Sequence, residues 1–135
     1  MPADRPLRYF ADESVLGIGL ALARLRSDVV HPGHPRIPQV PLGALDQDWI
    51  PRIADLGLVA IGRDRRVRTR PAERQAMIDS GLRYVWIGGK QDATSWVWMQ
   101  RLARHWDEME RLAADLGAGP WFITVNKGGI VGRRL

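Results

Sequence analysis

The chain has 135 residues, the size of one compact domain, and its 45% apolar and 26% charged content excludes a disordered or fibrous chain. It has no cysteine, which excludes disulfides, thiolate metal sites and cysteine nucleophiles, so any metal would sit on oxygen or histidine. The net charge of +5 is concentrated, because Arg63, Arg65, Arg66, Arg68, Arg70 and Arg74 face only Asp64 and Glu73 in the same stretch.

Leu7–Ala11 reads as a short strand, and Ser14–Ser27 follows as a helix with Val15, Ile18, Leu22 and Leu25 on one apolar face. Asp28–His31 reads as a second short strand, after which Pro32, Pro35, Pro38 and Pro41 impose a loop. Asp46, Asp48 and Pro51 suit the first turns of a helix ending near Gly57, and the all-apolar Leu58–Gly62 is a buried strand. Beyond the arginines come a helix from Pro71 to Ser80 stopped by Gly81, then a strand over Leu82–Ile87. Ala93–Leu116 has the spacing of one long helix, capped by Asp92 or Thr94 and closed by Gly117. Trp121–Val125, the turn Asn126–Gly129 and Ile130–Val131 form a terminal hairpin.

Alternating strands and helices imply one α/β domain over residues 1–135, a three-layer sandwich around a mainly parallel sheet. No apolar run reaches the roughly 18 residues of a membrane span. Met1–Phe10 carries Asp4 and Arg8 where a signal peptide needs an apolar stretch, so the expected compartment is the cytoplasm, with no membrane partner.

Ligands of parallel sheets bind outside the carboxyl ends of the strands. Asp12 and Glu13 end the first strand, Asp64 follows the third, and Asp46 and Asp48 open the helix before it. Asp92 belongs to the same edge by topology. Clustered carboxylates repel one another, and a hard cation such as Mg²⁺ or Mn²⁺ relieves that repulsion. The competing account is capping, since acids at helix N-termini satisfy free N–H groups; it is the simpler one for Asp46 and Asp92 taken singly. Asp12 and Asp64 each follow a buried strand, which favours a site, and Glu13 is intermediate.

The arginines suit phosphate, because the guanidinium fork donates two hydrogen bonds at once, yet a solvated surface run explains the charge equally well. Arginine outnumbers lysine 18 to 2 throughout, which weakens any local reading. His31, His34 and His105 lack metal-ligand spacing. Gly88–Gly89 and Gly128–Gly129 lack a phosphate-loop frame, and Trp86, Trp98 and Trp106 lie in apolar patterns that suit a core, while Trp49 beside Asp48 stays open.

Tyr9–Ser14 (YFADES), Asp46–Ile50 (DQDWI), Ile61–Arg68 (IGRDRRVR) and Pro71–Glu73 (PAE) together resemble, in order and spacing, the PIN-like ribonucleases of bacterial toxin–antitoxin systems. The resemblance implies a Mg²⁺- or Mn²⁺-dependent endoribonuclease with Asp12, Asp48 and Asp64 catalytic. Its metal ligands would come from Asp12, Glu13, Asp46, Asp48, Asp64 and Asp92. Arg63, Arg65, Arg66 and Arg68 would hold RNA phosphate. It further implies a small cognate antitoxin protein as partner and allows a homodimer. The mid-chain acid of such nucleases is often glutamate, so here the shorter Asp48 must reach the metal or cede the role to Asp46. A non-catalytic PIN-like module that binds protein or nucleic acid is the alternative. A phosphoacceptor receiver domain shares the acids but not the proline-rich loop.

Overall fold

The structure is a computed structural model and describes residues 5–64, 67, 69–90 and 92–135. It is an α/β three-layer sandwich. Its strands are β1 (Tyr9–Ala11), β2 (Val29–Val30), β3 (Val59–Gly62), β4 (Arg83–Ile87), β5 (Trp121–Asn126) and β6 (Gly129–Arg134). They form one sheet in the order β2-β1-β3-β4-β5-β6, parallel except for the antiparallel β5–β6 hairpin. The described helices are α1 (Leu16–Leu25), α2 (Asp46–Asp55), α3 (Pro71–Ser80), α4 (Ser95–Arg104) and α5 (Trp106–Leu116). None is long and apolar enough to cross a membrane.

Both faces of the sheet are buried over β1 to β4, which explains why those strands read as unbroken apolar runs. Tyr9, Ala11, Ile61, Val85, Ile87 and Ile123 pack on the face covered by α1, α4 and α5. Phe10, Ala60, Tyr84, Trp86 and Phe122 pack on the other face, with Trp49, Ile50 and Ile53 of α2 and Met77 of α3. Gly81 ends α3 at φ +72°, a left-handed conformation that glycine adopts without a Cβ clash.

The sequence reading departs from the structure in three places. The first helix opens as a 3₁₀ turn over Glu13–Val15, and Leu25, assigned to its buried face, is 81% exposed because its turn lies at the helix's far end. The terminal hairpin is longer than expected, extending through Asn126 and Arg134. Finally, Ala93–Leu116 is two helices rather than one. Thr94, not Asp92, caps α4, its side chain accepting from Val97 N.

The break falls at His105, which leaves the helical region at φ −106°, ψ 13°. A straight helix over that span would run about 36 Å, far beyond strands of five or six residues. Bending lets Leu102 and Met109 both be fully buried against the twisted sheet. His105 Nε2 lies 3.3 Å from Lys127 O in the hairpin turn, and Trp106 meets Tyr9 edge-on at 4.9 Å. These are tertiary contacts, and helical periodicity carries no trace of them.

Candidate functional site

The chain runs from β1 outward to β2 and then crosses back to β3 on the other side of β1. The two connections leave in opposite directions and open a crevice at the carboxyl ends of β1 and β3. A cleft of about 790 Å³ lies there, lined among others by Asp12, Glu13, Ser14, Asp46, Trp49, Arg63, Asp64, Arg70 and Glu73.

Asp12 is the fixed point of this cleft. Its backbone N–H donates to Ile61 O at 2.9 Å, which anchors it to β3. It is 3% exposed. Its Oδ1 accepts from Ser14 N at 2.9 Å and from the Ser14 hydroxyl, and its Oδ2 accepts from the Tyr84 hydroxyl at 2.8 Å. Ser14 Oγ in turn accepts from Arg63 N at 2.8 Å. The segment after β3 is therefore tied to the end of β1 through Ser14, while Tyr84 ties Asp12 to β4.

Strand register explains how Tyr84 reaches Asp12. Phe10, Ala60 and Tyr84 stand side by side on one face, and Asp12, Gly62 and Trp86 follow two residues later on the same face. A Cβ on Gly62 would lie 2.2 Å from both Asp12 Oδ2 and the Tyr84 hydroxyl oxygen. The absent side chain of Gly62 is the gap through which the two groups meet.

Burial pushes the Asp12 carboxyl up to about 7; its hydrogen bonds to Ser14 and Tyr84 pull the other way, and the charge of Asp64 adds to the rise. Burial, followed by the Asp12 charge, also holds Tyr84 well above its ordinary range, so its hydroxyl stays a donor.

The remaining acids are unequally placed. Asp46 lies in the cleft wall, where its Oδ1 accepts from the Trp49 indole N–H at 3.0 Å; the N-cap position of α2 belongs to Leu45, so Asp46 does not cap. Trp49 itself is buried against Phe10, with ring centroids 5.2 Å apart. Glu13 also lines the cleft and accepts from Gly43 N, holding the proline-rich loop over it. Asp48 and Asp92 are exposed and absent from the cleft lining. Glu73, which sequence reasoning passed over, does line it. Among the described residues, no three histidine, aspartate or glutamate side chains stand at metal-binding spacing.

Arg63 lies in the cleft wall but is heavily engaged. Its guanidinium donates to Ile87 O at 2.5 Å and stacks 4.0 Å over the Trp98 ring. It braces the loop after β4. Arg65, Arg66 and Arg68, the other expected phosphate ligands, lie outside the described residues. Arg70 is exposed at the cleft. His31 and His34 face each other edge-on at 5.2 Å in the loop, and neither lines the cleft.

A family model described as a PIN like domain matches residues 7–89, a span that contains every described cleft residue. No curated protein and no solved structure matches the chain.

Proposed function

The chain belongs to the PIN-like domain family, and on that premise we propose that it is a Mg²⁺- or Mn²⁺-dependent endoribonuclease hydrolysing RNA phosphodiesters. The observation that carries this reading is the presence of Asp12, Asp46, Asp64 and Glu73 in one cleft at the crevice between β1 and β3. PIN domains are generally nucleases, so the fold and the acids point the same way.

The donor chemistry suits a hard cation. Among its described lining residues the cleft offers carboxylate oxygen and no sulfur or histidine. Asp12 and Asp64 sit close enough for one to raise the other's proton affinity, a repulsion that a cation removes. Asp12 and Asp64 would hold the ion, with Asp46, Glu13 and Glu73 in the surrounding wall. A divalent cation held there supplies a Lewis acid for the phosphodiester and a water of lowered pKa. Ser14 and Tyr84 orient Asp12, and Ser14 also holds the backbone of Arg63, next to Asp64. Arg70, at the cleft, is the described cation best placed to meet a substrate phosphate.

The toxin assignment rests on the order and spacing of the sequence motifs. It makes a small antitoxin protein the partner, one whose own charges can match a cleft holding both carboxylates and Arg70. The site of action would be the cytoplasm. A non-catalytic binding module is favoured by a single observation, the lack of three acids at metal-binding spacing among the described residues.

Incubation of purified protein with structured RNA separates the two readings. Cleavage with Mg²⁺ or Mn²⁺ that stops in chelator is the expected result; RNA left intact at every metal concentration would sustain the binding module instead.

A further inference from the structure

A second groove, of about 430 Å³, lies on the sheet face shared with α2 and α3, toward the β5–β6 edge, where Asn126, Val131 and Arg133 are exposed. Trp86 and Phe122 are among its lining residues, both nearly buried at 9% and 7% exposure, and Val131 stands at its edge, 61% exposed. Thr124 and Asn126 supply neutral hydrogen-bonding groups, and Arg74 and Arg133 supply charge. No acidic side chain is among its described lining residues. Strand alternation explains the composition: Val131 and Arg133 point to this side of β6, while Gly132 faces Leu112 and Leu116 of α5.

The groove adjoins the acidic cleft. Arg70 and Glu73 line the cleft, whereas Thr69 and Arg74 line the groove, so the start of α3 is the ridge between them. Arg63 joins them from below, lining the cleft while its guanidinium lies 5.7 Å over the Trp86 ring.

We propose that this groove is a second subsite for single-stranded RNA, holding the strand that continues past the acidic cleft over the α3 ridge. The inference rests on the ribonuclease reading and gives the substrate its path. Phosphates meet Arg74 and Arg133, and bases lie against the apolar bed of Trp86, Phe122 and Val131. Charge favours this occupant, since the groove carries two arginines and no described acid, and continuity with the cleft favours a chain long enough to reach both. An acidic peptide shares the charge but has no need of the cleft.

The test is fluorescence anisotropy of labelled single-stranded RNAs of about four and about twelve nucleotides on the full chain in chelator, so that binding is read without cleavage. Replacing Arg74 and Arg133 together by alanine should weaken the longer RNA several-fold and lower its log–log salt slope by about 1.4, at 0.7 per lost phosphate contact. The shorter RNA, and its cleavage rate with Mg²⁺, should be unchanged. Val131→Glu, which adds an acid at the rim without touching either arginine, should weaken the longer RNA in the same way. An unchanged affinity and slope in both variants would overturn the inference, as would an acidic peptide that displaces the twelve-mer while the four-mer stays bound. Groove-dependent binding without any cleavage would leave the subsite standing and sink the nuclease reading alone. Cleavage with binding indifferent to the variants would do the reverse.

Discussion

The hydroxyl of Tyr84 donates to Asp12 Oδ2 at 2.8 Å across the missing side chain of Gly62, and both partners are buried. Tyr84→Phe removes the donor and leaves Asp12 Oδ2 without its Tyr84 partner. An unmade buried hydrogen bond costs about 1–3 kcal/mol. Urea unfolding in chelator at about pH 8 should show a loss in that range, and a variant as stable as the parent would mean that the bridge contributes nothing.

Gly62→Ala tests the same junction from the other side. The new Cβ would lie 2.2 Å from two buried polar atoms. Overpacking of this kind costs about 1–3 kcal/mol. The double variant Gly62→Ala with Tyr84→Phe should recover part of the loss, because the phenyl ring lacks one of the clashing oxygens. A double variant no better than the sum of its parts would place the strain elsewhere.

Asp12 sets a pH dependence whose sign is fixed by its burial. Its carboxyl rises from 3.8 to about 7 in the folded chain, so the folded state holds the proton more tightly than the unfolded one. The stability from this group is full below about pH 4 and is lost as the pH climbs to about 7. In chelator, the parent should therefore lose stability relative to Asp12→Asn over that interval. Parallel curves for the two proteins would show that Asp12 titrates normally.

The mid-chain acid is decided by comparing Asp46→Asn with Asp48→Asn. Asp46 lines the cleft and Asp48 does not. Metal-dependent cleavage should fall about 100-fold or more in the first, as for lost metal-site groups, and stay within about twofold in the second, as for an exposed surface change. The opposite ranking would give the role to Asp48.

The alternation of elements was plain in the residues, because sheet strands buried on both faces leave unbroken apolar runs such as Leu58–Gly62, and Pro71 and Gly81 bound α3 by their own backbone preferences. Asp12 and Asp64 were legible for the same reason, each following such a run. Asp46 and Asp48 were not separable, since one step along a helix turns a side chain by about 100° and only packing decides which turns inward. Trp49 makes that choice here, burying its ring against Phe10 and presenting its N–H to Asp46.

Tyr84 was passed over because its role depends on cross-strand register, which periodicity within one strand does not carry. The available signal was the pair of small residues, Ala60 and Gly62, on one face of a β-branched strand. The bracing role of Arg63 was hidden for a related reason. Its charge was visible, but the carbonyl of Ile87 and the ring of Trp98 that engage it come from elements more than twenty residues away.

The claim on which the functional reading turns is that Asp12 and Asp64 together hold a divalent cation in the acidic cleft. Its most direct measurement is the free Mn²⁺ signal by electron paramagnetic resonance during titration of the parent chain and of Asp64→Asn, at about pH 8, where Asp12 is ionised. Depletion of the free signal by the parent, lost in Asp64→Asn while the fold is retained, is the predicted result. Equal depletion by both proteins, or none by the parent, would contradict it.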